Sequence, residues 1–252
     1  MKLKAYLLNE GRSKDITNIT AEMLLKEECS DAFKIWKKRK GYIYRGFHGM
    51  KSLKNEYAYM DSTKFKDRTS ANTTNEYTEL INHILSSWKK YPKRNVICTT
   101  DRDMAESFGD PYHVFPYNGT KIGECPTGDI WGSFQKNGMD ELTAINELIS
   151  NEHGNYSNAK DLMEFTKKLH LYDFDMENYD NGYYYGFIHL WEKSYSDLSL
   201  FELLNKIVMN PDKNGFHLKK SGQSLSTDRE VWFNSKALLV SFKNKKCMEE
   251  LL

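Results

Sequence analysis

Cysteine signatures are missing from this chain. Its four cysteines, Cys29, Cys98, Cys125 and Cys247, are scattered, with no C-x-x-C and no histidine pair at zinc spacing. A disulfide framework and a structural zinc site are therefore not expected, and free thiols fit a reducing cytosol better than an oxidising compartment. Proline is scarce, with five in 252 residues, and no long Pro/Gly linker, internal repeat or low-complexity tract divides the chain. No apolar run reaches membrane length, and the one in "MKLKAYLLNEGRSKD" is too short for a signal peptide. Charge of one sign is lacking as well. Against 35 Asp and Glu stand 36 Lys and Arg, so a net charge of +1 creates no global field toward nucleic acid or an acidic membrane. The expectation is a soluble, cytoplasmic protein with no membrane partner.

The common catalytic signatures are absent too. No G-x-G-x-x-G follows a strand, and there is no G-x-x-x-x-G-K-[ST], H-E-x-x-H, G-x-S-x-G or kinase motif. The seven histidines form no cluster in sequence, and no metal is expected. Conventional dehydrogenase, P-loop, zinc-protease, serine-hydrolase and kinase readings fall away.

What is present supports a packed core. Hydrophobic residues make up 39% of the chain, with 16 Tyr and 13 Phe. "DITNITAEMLLKEECSDAFKIWKKRKG" predicts one helix, with capping residues at its start, apolar residues at helical spacing and a basic last turn before Gly41. Strands are predicted at "YIYRGF", "YAYMD" and "NVICTT", and a helix at "TTNEYTELINHILSSWKKY" up to Pro92. A helical turn follows at "DRDMAESFG". "YHVFPYNGTKIGECP" reads as a hairpin about Asn118–Gly119, although Pro116 weakens its first arm. From about 138 to 210 the chain turns helical, with an aromatic stretch "NGYYYGFIHLW" inside. β patterning returns at "FHLKK", "EVWF" and "KALLVSF". The expected fold class is α+β, a single domain over 1–252 with a helical insertion.

Three polar signals sit at predicted strand ends. Arg45 closes "YIYR" before Gly46. Thr99 and Thr100 end "VICTT" ahead of a short helix containing Ala105 and Phe108. Glu230 opens "EVWF", with Asp228 two residues earlier and on the same face if the strand has already begun. A further polar cluster, Arg68 and Asn72 in "DRTSANT", reads either as a helix cap or as a phosphate or ribose clamp at a helix N-terminus.

This ordered set resembles the Arg–Ser–Glu class of ADP-ribosyltransferases. In that family an aromatic strand carries Arg-Gly, a second ends in Ser-Thr-Ser before an Ala-x-x-Phe-like turn, and a late strand begins with Glu or Gln, any residue, then Glu. Here these elements read "YRG" at 44–46, "CTT" at 98–100 with "AESFG" at 105–109, and "DRE" at 228–230. The stretch "RTSANTTNEYTELI…YPKRNVICTT…YHVFPYNGTKIGECPTGDIW" is also similar to bacteriophage-encoded proteins identified as transferases of this class. The likeness covers the two ends of the chain well and the helical middle poorly. Cys98 departs from the first serine of the hydroxyl motif, and Asp228 from the usual Glu or Gln.

The resemblance implies a split β-sheet core with an N-terminal helix, and NAD+ as substrate. It implies a mono-ADP-ribosyltransferase acting on a host macromolecule in the host cytoplasm, with a protein acceptor first and a nucleic-acid acceptor second. Glu230 would accept the ribose 2′-hydroxyl and stabilise an oxocarbenium-like transition state. Thr99 would bond Glu230 and fix its rotamer, and Asp228 would help choose the acceptor. Arg45 would grip phosphate or ribose oxygens with its planar fork, beside Thr100, Arg68 and Asn72. Gly46 would leave room where the cofactor nears the backbone. Two other readings stay open: an NAD+ glycohydrolase on the same fold, and an inactive binding module that uses Lys37, Lys38, Arg39 and Lys40 for nucleic acid.

Overall fold

The computed structural model describes residues 5–8, 11–15, 18–38, 42–47, 57–65, 76–136, 139–153, 159–171 and 185–242. The chain divides into two compact units: 1–68 with 91–128 and 217–252, and 69–90 with 129–216. The helical insertion expected at about 138–210 is thus part of a wider unit that also draws in 69–90. α+β is the observed class.

Among the described residues the first unit is built on ten strands in one sheet, all of whose pairings are antiparallel. In chain order they are β1 (Ala5–Leu8), β2 (Gly11–Asp15), β3 (Tyr44–Phe47), β4 (Tyr57–Asp61), β5 (Val96–Thr99), β6 (Asp110–Pro116) and β7 (Lys121–Glu124). After β8 (Gln135–Lys136) and β9 (Met139–Asp140), a separate ladder in the second unit, come β10 (His217–Lys220), β11 (Glu230–Phe233) and β12 (Lys236–Ser241). The order across the sheet is β1-β2-β4-β12-β6-β3-β5-β11-β7-β10.

Alternation along β12 shows how the two faces are used. Ala237 and Leu239 join one apolar cluster with Ile43, Phe47, Val96, Cys98, Val114, Val231 and Phe233. Leu238 and Val240 join another, with Tyr57 and Phe115, beneath α1 (Asn18–Lys26) and α2 (Ser30–Lys37). β12 is buried on both faces, as its near-continuous apolar sequence requires of a central strand.

The single N-terminal helix of the sequence reading is two helices. Asn118 breaks it: its side-chain amide donates to Glu27 O at 2.7 Å and accepts from Asp31 N at 2.9 Å, while its backbone N–H donates to Glu28 O at 2.6 Å. The expected hairpin does not form. β6 pairs with β12 and β3, and β7 with β11 and β10, so the Asn118–Gly119 turn joins strands that are not partners. Gly119 has φ +74, as the turn requires. The turn itself forms at Asn118–Gly119, and tertiary bonds decide which strands it connects.

The second unit contains α3 (Glu76–Glu79), continued by a π turn at Leu80–Ile84. Between α3 and α5 (Ile130–Ser133) the chain passes through the first unit, which holds α4 (Arg102–Ser107). The second unit then adds α6 (Glu141–His153), α7 (Ala159–Lys168), α8 (Tyr185–Tyr195) and α9 (Leu200–Leu203). Its core includes Ile145, Leu148, Leu162, Phe187 and Trp191, all fully buried. Trp88 Nε1 donates to Met209 O at 2.7 Å, and a full capping box between Ser199 and Glu202 starts α9. Among the described residues no helix is long and apolar enough to cross a membrane.

Candidate active site

The three strands bearing the sequence-predicted residues are neighbours in the order β3-β5-β11, although 185 positions separate Arg45 from Glu230 in the numbering. Glu230 is the register partner of Thr99, and Thr99 is also the partner of Tyr44. Register partners share a face, so Tyr44, Thr99 and Glu230 form one row across the sheet. Cys125, just past β7, extends that row: its N–H donates to Glu230 O at 2.9 Å and its thiol reaches Glu230 Oε1 at 3.8 Å.

Arg45 lies one residue out of phase with this row. Its register partner is Tyr112, and its face is that of Ile43 and Phe47 in the apolar cluster. There its Nη1 donates to Ile97 O, and its guanidinium stands 5.2 Å from the centre of the Phe47 ring. Burial pushes the Cys98 thiol up to about 12, against the opposing pull of the Arg45 charge. The structure therefore brings Thr99 and Glu230 face to face, and brings Arg45 to the next strand but onto the other side of the sheet.

Glu230 is held by a residue that the sequence reading did not single out. Arg94 Nη2 donates to Glu230 Oε1 at 2.7 Å; the Arg94 side chain is 2% exposed and that of Glu230 14%. Thr99 does not take this role. Its hydroxyl accepts from the Asp101 backbone N–H at 3.0 Å and so shapes the turn into α4. A threonine at a strand end forms this local bond readily, because the acceptor and the N–H two residues on are already in place.

Thr100 closes the β5–β11 ladder. Its Oγ1 accepts from Arg229 N at 2.9 Å, and its N–H donates to Arg229 O at 2.9 Å, which fixes the residue before Glu230. Strand alternation does not place Asp228 on the Glu230 face. The strand begins only at Glu230, and Asp228 is exposed with φ 55, in the left-handed region, so period-two alternation does not reach it. At Gly46 the space a Cβ would need is filled by α4 and its end: Ala105 O, then Phe108 C at 2.8 Å and Gly109 N at 3.0 Å. The glycine makes room for protein backbone at that point rather than for a cofactor. Arg68, Asn72, Arg39 and Lys40 lie outside the described residues. Among the described residues no cluster of His, Cys, Asp and Glu suits a metal ion.

The Thr99 row continues into a largely buried aromatic cluster that the sequence could not single out. The Tyr44 and His113 rings are 5.3 Å apart, and those of His113 and Phe242 4.2 Å. Trp36 Nε1 donates to His113 Nδ1 at 3.3 Å. Burial lowers the His113 pKa to about 4, assisted by the Arg102 charge, and burial raises that of Tyr44 to about 12. Arg94 itself gave little signal, since "PKRNV" offers two adjacent cations in a loop. The Glu230 carboxylate and the Trp232 ring, 5.2 Å from its guanidinium, draw Arg94 inward while Lys93 stays exposed.

Comparison with family models, curated proteins and solved structures found no match.

Proposed function

We propose that the first unit is an NAD+-dependent mono-ADP-ribosyltransferase that modifies a host macromolecule, with a protein as the first acceptor to test. The carrying observation is the Thr99–Glu230 register pair, in a sheet where β3, β5 and β11 lie side by side. Order along the chain and adjacency in space agree for the three elements on which the resemblance rests. In this reading the glycosidic bond of NAD+ breaks with its electron pair leaving on nicotinamide. A nucleophile of the acceptor adds to C1′ and gives up its proton. Glu230 accepts the ribose 2′-hydroxyl and stabilises the positive charge that develops at C1′.

Labelled NAD+ incubated with cell lysate tests this, with Glu230→Gln alongside. Wild type should transfer label, and the variant should lose about 3 kcal/mol or more of transition-state stabilisation. Label transfer establishes the transferase. Nicotinamide release with no transfer points instead to a glycohydrolase, and neither activity refutes the enzyme reading. Arg45 needs its own test because it faces the opposite side. If Arg45→Lys leaves KM for NAD+ unchanged, Arg45 joins β3 to β5 and takes no part in cofactor binding.

A further inference from the structure

Glu230 is bound asymmetrically. Arg94 Nη2 at 2.7 Å and Cys125 Sγ at 3.8 Å both meet Oε1, whereas among the described residues no donor meets Oε2. Arg94 is itself fixed on several sides. Its guanidinium lies over Trp232, whose Nε1 donates to Pro92 O at 2.9 Å and whose ring stacks on Tyr91 with centres 6.2 Å apart. Gly123, the register partner of Trp232, leaves the space that this ring fills. At 2% exposure Arg94 is too deep to touch a bound substrate, so any influence it has on chemistry passes through Glu230.

On the reading that this unit cleaves NAD+, we propose that Arg94 is a positioning residue: it ties down Oε1 of Glu230 and thereby presents Oε2 to the ribose hydroxyl. A planar, always-charged fork packed on an indole fixes the carboxylate rotamer, which a flexible ammonium does not reproduce. Preorganisation of this kind is what a charge-stabilising group needs in the transition state. A purely structural Arg94 would neutralise a part-buried carboxylate and do nothing more.

The test compares wild type, Arg94→Lys, Glu230→Gln and the double variant by nicotinamide release from NAD+, with kcat and KM separated and thermal unfolding recorded. Arg94→Lys should lose about 10²-fold in kcat, the scale of a misplaced catalytic group, with KM for NAD+ unchanged and cooperative unfolding retained. In the Glu230→Gln background the same change should cost nothing further, because residues acting as a unit are not additive. A folded Arg94→Lys with wild-type kcat overturns the proposal, and so does an equal loss in both backgrounds. If Arg94→Lys does not fold, Arg94→Gln, which keeps a neutral donor, is measured in the same way. A wild type that releases no nicotinamide removes the NAD+ reading, and this inference with it.

Discussion

Replacing Gly46 by alanine places a methyl group against α4 and its end. The nearest atoms are Ala105 O, Phe108 C at 2.8 Å and Gly109 N at 3.0 Å. All three are backbone, so no side chain can swing away; β3 or α4 must shift. β3 is a short strand, paired to β6 over four residues and to β5 over one, so a shift there disturbs the centre of the sheet. Overpacking typically costs 1–3 kcal/mol. Because the obstacle is main chain, the upper end applies: about 3 kcal/mol, or a Tm lower by roughly 6–12 °C for a chain of this size. Differential scanning calorimetry or circular-dichroism melting would measure it. A Gly46→Ala protein melting within a degree of wild type refutes the packing reasoning.

Two further outcomes follow from other parts of the first unit. Asn118→Ala removes the bonds to Glu27 O and Asp31 N and should cost about 1–2 kcal/mol, read as a lower Tm at nearly constant helix content; an unchanged Tm would mean that the break between α1 and α2 needs no cap. His113 is held near 4 against an ordinary 6.5, so the unfolded chain takes up its proton first as pH falls. Its contribution is fully present above pH 6.5 and is withdrawn between 6.5 and about 4, a loss of about 3 kcal/mol in total. Unfolding measured across that window should show a shallower slope in His113→Gln than in wild type, and identical slopes would refute the assignment.

The sequence was informative wherever local chemistry decides structure. β3, β5 and β11 appear where "YRGF", "VICT" and "EVWF" predict them, and β12 reads as buried because nearly every position of "KALLVS" is apolar. It was uninformative wherever a distant residue decides. Nothing near Glu27 announces that Asn118 will cap there, and nothing in "YNGT" reveals that its two arms pair elsewhere. The site shows the same limit at finer scale. The resemblance implied that the three elements come together, but the face on which Arg45 lies depends on register, and one step of register reverses it. Arg94 was illegible for a similar reason, since its role rests on an indole 138 positions later in the chain.

The placement of β11 and β12 bears on how the sheet is made. Each enters between strands from earlier in the chain, β11 between β5 and β7 and β12 between β4 and β6. Until residues 230–241 arrive, the earlier strands face two gaps, and Thr99 has its Tyr44 partner on one side but none on the β11 side. Contacts of such long sequence separation carry a high loop-closure cost and belong to slow-folding topologies. The row containing Glu230 therefore cannot preexist as a local fragment. It comes into being only when β11 closes its gap in the sheet, so a chain lacking that closure would carry every residue of the site without the Thr99–Glu230 pairing.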